Sequence, residues 1–182
     1  LVERDCVAMW WYNRVQRPSV DLDSFDEPYL QALGDYYFTK NYQLWVLDIT
    51  NDLGIPSFVA LVRRIDKTPE EIIMGFGTHF DAKIAILRAV TELNQMSVMF
   101  LNQDTEIILD NPDLKYWMKN VTISNQPYLA PDVNIKPKVY TDYSQMWSDD
   151  LKQDVLTCVD VVAKQGMETL ILDQTRPDIG LS

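Results

Sequence analysis

The sequence predicts an α/β fold of the α+β kind: a mixed sheet with an antiparallel hairpin and helices packed against it. Three observations carry that prediction. Two runs rich in β-branched and aromatic residues, "YQLWVLDIT" (42–50) and "SFVALVRRI" (57–65), flank "NDLGIP", whose Gly54 and Pro56 suit a tight connection. A third strand-like run, "IIMGFG" (72–77), leads into a long apolar helix. A later amphipathic helix over 149–165 is followed by one more strand-like run, "METLILDQT" (167–175). That order suggests a sheet with helices packed on it.

Taken in order, residues 1–16 read as a helix, with Val2, Cys6, Met9, Trp10 and Asn13 at helical spacing. The Trp10-Trp11 pair reads as core. "RPSVDLDSFDEP" (17–28) is a Pro- and Asp-rich connector, and Pro28 suits the first turn of a helix over 29–40. Gly75 and Gly77 permit close backbone approach ahead of the long helix. That helix has Asp81 as its N-cap, or Thr78 as the alternative, and runs to about Phe100. Residues 101–147 carry the least pattern, with "NPDLKYWMKN" a short helix and "NQPYLAPDVNIKPK" a loop. In the last helix Leu151, Val155, Cys158, Val159 and Val162 share a face, and Gly166 ends it.

Composition narrows the function classes. A chain of 182 residues, 47% hydrophobic and 11% aromatic, can bury a real core and is not a disordered segment. A net charge of −11, from 16 basic and 27 acidic residues with no basic block, disfavours nucleic acid as a partner. His79 is the only histidine, so no Ser/His/Asp triad and no multi-histidine metal site can be built from this chain alone. Cys6 and Cys158 lack zinc-site spacing and both fall in helical patterns, so they read as buried free thiols in a reducing, cytoplasmic compartment. No uncharged apolar run reaches the roughly 18 residues of a membrane span, and no signal-peptide pattern is present.

The long helix poses the functional question. At about 100° per residue, Arg88, Glu92 and Gln95 fall within a sector of roughly 60°, while Ala85, Ile86, Ala89, Val90, Leu93 and Met96 cover the opposite arc. A helix apolar nearly all round is expected to be buried. A buried carboxylate is costly unless it is paired or binds metal. Two readings follow: an Arg88–Glu92 pair at i, i+4 on a solvent face, or a strip of ligand groups. Elsewhere, "GFGTH" lacks the spacing of a phosphate loop and fits a strand-to-helix turn that needs glycine. Glu3, in "LVERD", is either a solvated acid helping the helix dipole or a ligand. Arg176, in "DQTRPDIG", is either a surface arginine before a proline or a ligand group past a strand end.

"ERDCVAMWWYNR", "LDITNDLGIPSFVA", "GFGTHFDAKIAILRAVTELNQ" and "LDQTRPDIG" occur in that order, spread from Glu3 to Gly180. As an ordered set they resemble the YcaO domain family, specifically its SagD-like members from thiazole/oxazole-modified peptide (bacteriocin-type) biosynthesis. The resemblance implies a YcaO-like fold that binds ATP and Mg²⁺ between helices packed on a sheet. Glu3 and Arg4 match the last two positions of that family's Ser-x-x-x-Glu-x-x-Glu-Arg motif, and Glu92 and Gln95 match its Glu-x-x-Gln motif. It thereby implies Glu3, Glu92 and Gln95 as metal ligands, and these with Arg4 and Arg176 as the nucleotide-binding set.

The implied reaction is ATP-dependent cyclodehydration. A Cys, Ser or Thr side chain of a ribosomal precursor peptide attacks the preceding amide carbonyl, ATP phosphorylates the resulting oxygen, and its loss leaves an azoline. Implied partners are the precursor peptide, a leader-peptide-binding protein or domain, and a second copy as a homodimer. No nucleic acid or membrane is expected. The motif's serine and first glutamate would precede Leu1, and the family's proline-rich tail is not in the sequence. The expectation is therefore a single piece of a YcaO-type domain over 1–182, truncated at both ends and inactive by itself. Two alternatives keep different parts of this picture: a non-catalytic docking scaffold, and ATP-dependent thioamidation with external sulfide.

Overall fold

The computed structural model describes residues 1–101, 111–175 and 178. The chain forms two compact units, Leu1–Met146 and Trp147–Ser182. In the first unit the hairpin forms as the sequence indicates. Strand β1 (Tyr42–Asp48) pairs antiparallel with β2 (Ser57–Arg64), with Val46 opposite Ala60. Gly54, at φ +69°, takes the left-handed conformation that the connection needs. Strand β3 (Ile73–Thr78) adds antiparallel to β2, so the order is β1-β2-β3 and β3 is an edge.

Alternation along the strands separates two apolar layers. Val46, Phe58, Ala60, Val62 and Ile73 point to one side. There they meet helix α2 (Pro28–Thr39) through Leu30, Leu33 and Tyr37, and helix α3 (Ala82–Leu101) through Ala85, Ile86, Ala89, Val90 and Leu93. Leu47, Val59 and Leu61 point to the other side, against Cys6 and Trp10 of helix α1 (Val2–Asn13) and against Tyr128 and Leu129. Trp10 is 2% exposed and packs edge-on against Tyr128 at 5.2 Å, so it is core as expected, whereas Trp11 is only half-buried and lies at the edge of that layer.

The helix ends have local causes. Glu27 caps α2 by accepting from the Tyr29 N–H at 3.3 Å, with Pro28 in the first turn. Asp81 caps α3, its carboxylate accepting from the Lys83 N–H at 2.8 Å. Asn111 caps helix α4 (Pro112–Asn120), accepting from Asp113 and Leu114, both at 3.0 Å. Helix α1 stops earlier than the sequence indicated, because Arg14 turns left-handed at φ 51° and its N–H bonds the Trp10 carbonyl.

Gly75 and Gly77 do permit close approach, but as strand residues rather than in the turn. A Cβ on Gly75 would overlap the backbone of Ala89 and Leu93, and one on Gly77 the backbone of Ala85 and Ala89. Helix α3 therefore lies directly on β3.

The second unit departs from expectation in two respects. Helix α5 (Leu151–Lys164) forms, capped by Asp150 and followed by Gly166 at φ +75°, yet none of its residues is buried. Cys158 is accordingly exposed, whereas Cys6 is buried as anticipated. The strand expected at 167–175 does not form, and Leu170, Ile171 and Leu172 are each about 80% exposed. β-Branched composition supplies only a surface that fits a sheet. A strand exists by sharing hydrogen bonds with a neighbour, and among the described residues none pairs with this segment. Among the described residues, no helix is long and apolar enough to cross a membrane.

Candidate functional site

The site is built where α1, the open edge of β3 and the outer face of α3 meet. Its groove, of about 420 Å³, is lined by Glu3 from α1, Phe76 from β3, and Ile84, Leu87, Arg88, Thr91, Glu92 and Gln95 from α3. An apolar recess of about 460 Å³ adjoins it and shares Glu3 and Phe76. Arg4 opens onto that recess, with Val7, Trp11, Tyr12 and Met74 as its walls. Local structure dictates this placement. "GFG" in a strand puts both glycines against α3 and turns Phe76 to the other face, towards α1.

The polar strip of α3 is not buried, contrary to the expectation from its apolar neighbours. Arg88 and Gln95 are exposed and Glu92 is half-buried. The physical reason is the sheet edge. An edge strand leaves alternate backbone N–H and C=O groups unpaired. Arg88 Nη1 donates to the Thr78 carbonyl at 3.1 Å, and the Phe76 backbone N–H faces the Glu92 carboxylate. The strip thus borders β3 and stays open to solvent on its other side. The simple Arg88–Glu92 ion pair is not formed. The ion pairs among the described residues involve Arg63 and Arg64 instead.

Of the five residues implied as nucleotide-binding, Glu3, Glu92 and Gln95 share the groove and Arg4 lies at its neighbour. Arg176 lies outside the described residues. Glu3 acts electrostatically on Glu92. Burial first, and the negative charge of Glu3 second, push the Glu92 carboxyl above its ordinary value, against the opposing Phe76 N–H. Two like charges held together in a half-buried groove are what a divalent cation relieves. Two carboxylates and a neutral amide oxygen are hard donors of the kind Mg²⁺ takes, with its other positions left to water or phosphate. Among the described residues no group of three or more His, Cys, Asp or Glu side chains converges, so the donor set is this partial one.

The raised Glu92 carboxyl gives a pH prediction. Its folded form holds the proton more tightly than the unfolded form, so its charge costs stability above the raised value and costs nothing below the ordinary carboxylate range. The associated stability falls as pH rises through that window. Glu92→Gln should remove the fall. Glu3 and Arg88 are the charged groups that face the position in the groove. Thermal midpoints of the full-length protein with a chelator present, at about pH 4 and about pH 7.5, should show the variant gaining only at the higher pH.

Sequence reasoning left Phe76 and Thr91 out, and placed Arg88 in the polar strip without adding it to the nucleotide-binding set. Arg88 had a usable signal, standing one turn before Glu92 in the same strip. Phe76 had another, being the residue between two glycines whose backbones must both face a helix.

A family model described as YcaO cyclodehydratase, ATP- and Mg²⁺-binding, matches residues 1–182. The chain belongs to the YcaO family. Among solved structures, it superposes on the heterocyclase TruD with a TM-score of 0.88 and 50% identity, covering 98% of this chain and 24% of that one. A heterocyclase in complex with substrate and cofactor gives 0.86 and 46% identity over the same shares, 98% and 24%. YcaO from Methanopyrus kandleri, bound with AMPPCP and Mg²⁺, shares the fold at 19% identity and a TM-score of 0.66, covering 91% of this chain and 42% of its own. An uncharacterized protein of Rhizobium leguminosarum bv. trifolii is 33% identical over 52% of this chain and 25% of its own length. The chain thus spans about a quarter of the length of the heterocyclases and of the curated relative it matches. Its fold is that of the YcaO heterocyclases: a three-stranded antiparallel sheet with helices on both faces.

Proposed function

We propose that the full-length protein is an ATP-dependent cyclodehydratase acting on a ribosomal precursor peptide, and that the groove between α1 and α3 is one wall of its Mg-ATP site. The carrying observation is the convergence of Glu3, Glu92 and Gln95 beside the β3 edge. Membership in a family of ATP- and Mg²⁺-binding cyclodehydratases and half identity to a heterocyclase support the reading.

In this reading Glu3 and Glu92 supply the negative charge that holds Mg²⁺, and Gln95 adds a neutral oxygen. When bound, Mg²⁺ would neutralise phosphate charge and orient the transferring phosphoryl group. Glu92 must be ionised to serve, and an adjacent cation lowers its carboxyl from the raised value. Arg4, at the rim of the apolar recess, supplies a cation that can meet phosphate charge. Phe76 and Leu87 add apolar lining beside the polar groups, and surroundings less polar than water strengthen each electrostatic contact.

Overall, a Cys, Ser or Thr nucleophile of the precursor adds to the preceding amide carbonyl. The resulting oxygen takes the γ-phosphoryl group and leaves as phosphate, with ADP as the other product. The addition closes the ring, loss of the amide N–H proton as phosphate leaves gives the C=N bond of the azoline, and a leader-binding protein or domain presents the precursor.

The test is mass spectrometry of the precursor after incubation with the full-length protein, its leader-binding partner, ATP and Mg²⁺. ATP-dependent loss of water confined to Cys, Ser or Thr supports the proposal. An exchange of oxygen for sulfur, seen only with added sulfide, reassigns the chemistry to thioamidation. An unchanged peptide, together with no nucleotide binding, replaces the enzyme by a docking scaffold.

A further inference from the structure

We infer that Arg88 is a further ligand-contacting residue, which grips the terminal phosphate oxygens of the nucleotide through the open side of its guanidinium. The inference rests on the Mg-ATP reading of the groove and adds a residue that the motif correspondence does not include.

Four observations point to it. Arg88 lines the same groove as Glu3, Glu92 and Gln95. It stands one helical turn from Glu92, close enough for an ion pair at i, i+4, yet makes none. Its guanidinium is held by a neutral acceptor, the Thr78 carbonyl at 3.1 Å, which fixes one edge of the fork without placing a carboxylate in ion-pair contact with it. Among the described residues the other N–H groups of the fork have no acceptor.

An anchored guanidinium is preorganised. One donor is tied to the strand end, and the rest present a planar face suited to two oxygens of one anion. Phosphate fits this place better than a carboxylate does. Glu3 and Glu92 would hold a cation that draws phosphate to the same groove, within which the fork of Arg88 would meet it. Thr91, which faces the same groove, spends its hydroxyl on the Leu87 carbonyl at 2.6 Å. Arg88 is thus the donor of the α3 wall that carries the charge an anion needs.

The competing account is structural: Arg88 merely ties α3 to the β3 edge through Thr78. Calorimetric titration of the full-length protein with ATP, ADP and AMP, each with Mg²⁺, separates the two. Arg88→Met should weaken ATP by about 10- to 100-fold, the scale of losing a charge-assisted contact. ADP should suffer less and AMP not at all, and Arg88→Lys should recover part of the ATP affinity. Equal loss for all three nucleotides, or no loss, overturns the inference. If Arg88→Met misfolds, Arg88→Lys decides alone: it keeps the charge but loses the fork, so ATP must still weaken relative to AMP. A wild-type protein that binds no nucleotide sinks both the inference and the reading beneath it. ATP binding that depends on Glu92 but not on Arg88 sinks the inference alone.

Discussion

Replacing Glu92 by alanine, together with Gln95→Ala, removes Mg-ATP binding from the full-length protein and leaves its fold intact. The expected loss is about 100-fold or more, roughly 3 kcal/mol, the scale of removing one partner from a shielded charge pair. The fold should survive because neither side chain belongs to the core. The residues that fasten α3 to the sheet are Ala85, Ile86, Ala89, Val90 and Leu93, all on the opposite face. Without Mg²⁺ the Glu92 change should even help at neutral pH, since it ends the repulsion from Glu3. The two signs together are diagnostic. A residue kept only to cover the β3 edge would lose stability on truncation and leave nucleotide affinity alone. A residue kept to hold a cation does the reverse. Titration calorimetry beside thermal melts, with and without chelator, reads both quantities. Unchanged affinity in the double variant would return the strip to edge protection.

The same strip shows what a sequence can and cannot carry. Helical spacing placed Arg88, Glu92 and Gln95 together, and the structure keeps them together in one groove. Whether they face solvent stayed open between two readings, because periodicity reports one element, whereas burial depends on what lies across from it. Opposite this face of α3 is a strand edge rather than another apolar layer. The hairpin was legible because both its strands carry strong β patterns and a glycine turn, all local signals. The segment 167–175 has a comparable pattern and no ladder among the described residues, since pairing belongs to two segments and a pattern describes only one of them. Cys158 fails for the same reason: an amphipathic helix announces a face to be covered, but does not name what covers it. Glu3 was visible only through the ordered motifs of a family. Nothing in "LVERD" alone distinguishes an acid that eases a helix dipole from one that faces Glu92 across the groove.

A methyl group added at position 77 should be among the most damaging single changes in the first unit. A Cβ on Gly77 would collide with the carbonyl of Ala85, the backbone nitrogen of Ala89 and the Cβ of Arg88. Two of these are backbone atoms inside a helix, and no rotamer change moves them. Gly77→Ala must therefore lift α3 from β3 and open the layer that holds Ile86, Ala89 and Leu93, at a cost of about 3 kcal/mol or more. Valine there should be worse. Gly34→Ala is the matched comparison. It lies within α2, its Cβ would meet nothing within 4 Å, and exchanging glycine for alanine in a helix interior should stabilise by about 0.5 to 1 kcal/mol. Opposite shifts of the thermal midpoint for two glycine-to-alanine changes would establish that contact, not composition, decides. The collision also reaches the site. Arg88 is reached by its hold on Thr78, the residue after Gly77, and Glu92 follows one turn later on the same helix. A displaced α3 should therefore weaken nucleotide affinity and stability together, unlike Glu92→Ala, which separates them. A Gly77→Ala protein that melts like the wild type would show that α3 does not rest directly on β3, and the groove described above would then need a different wall.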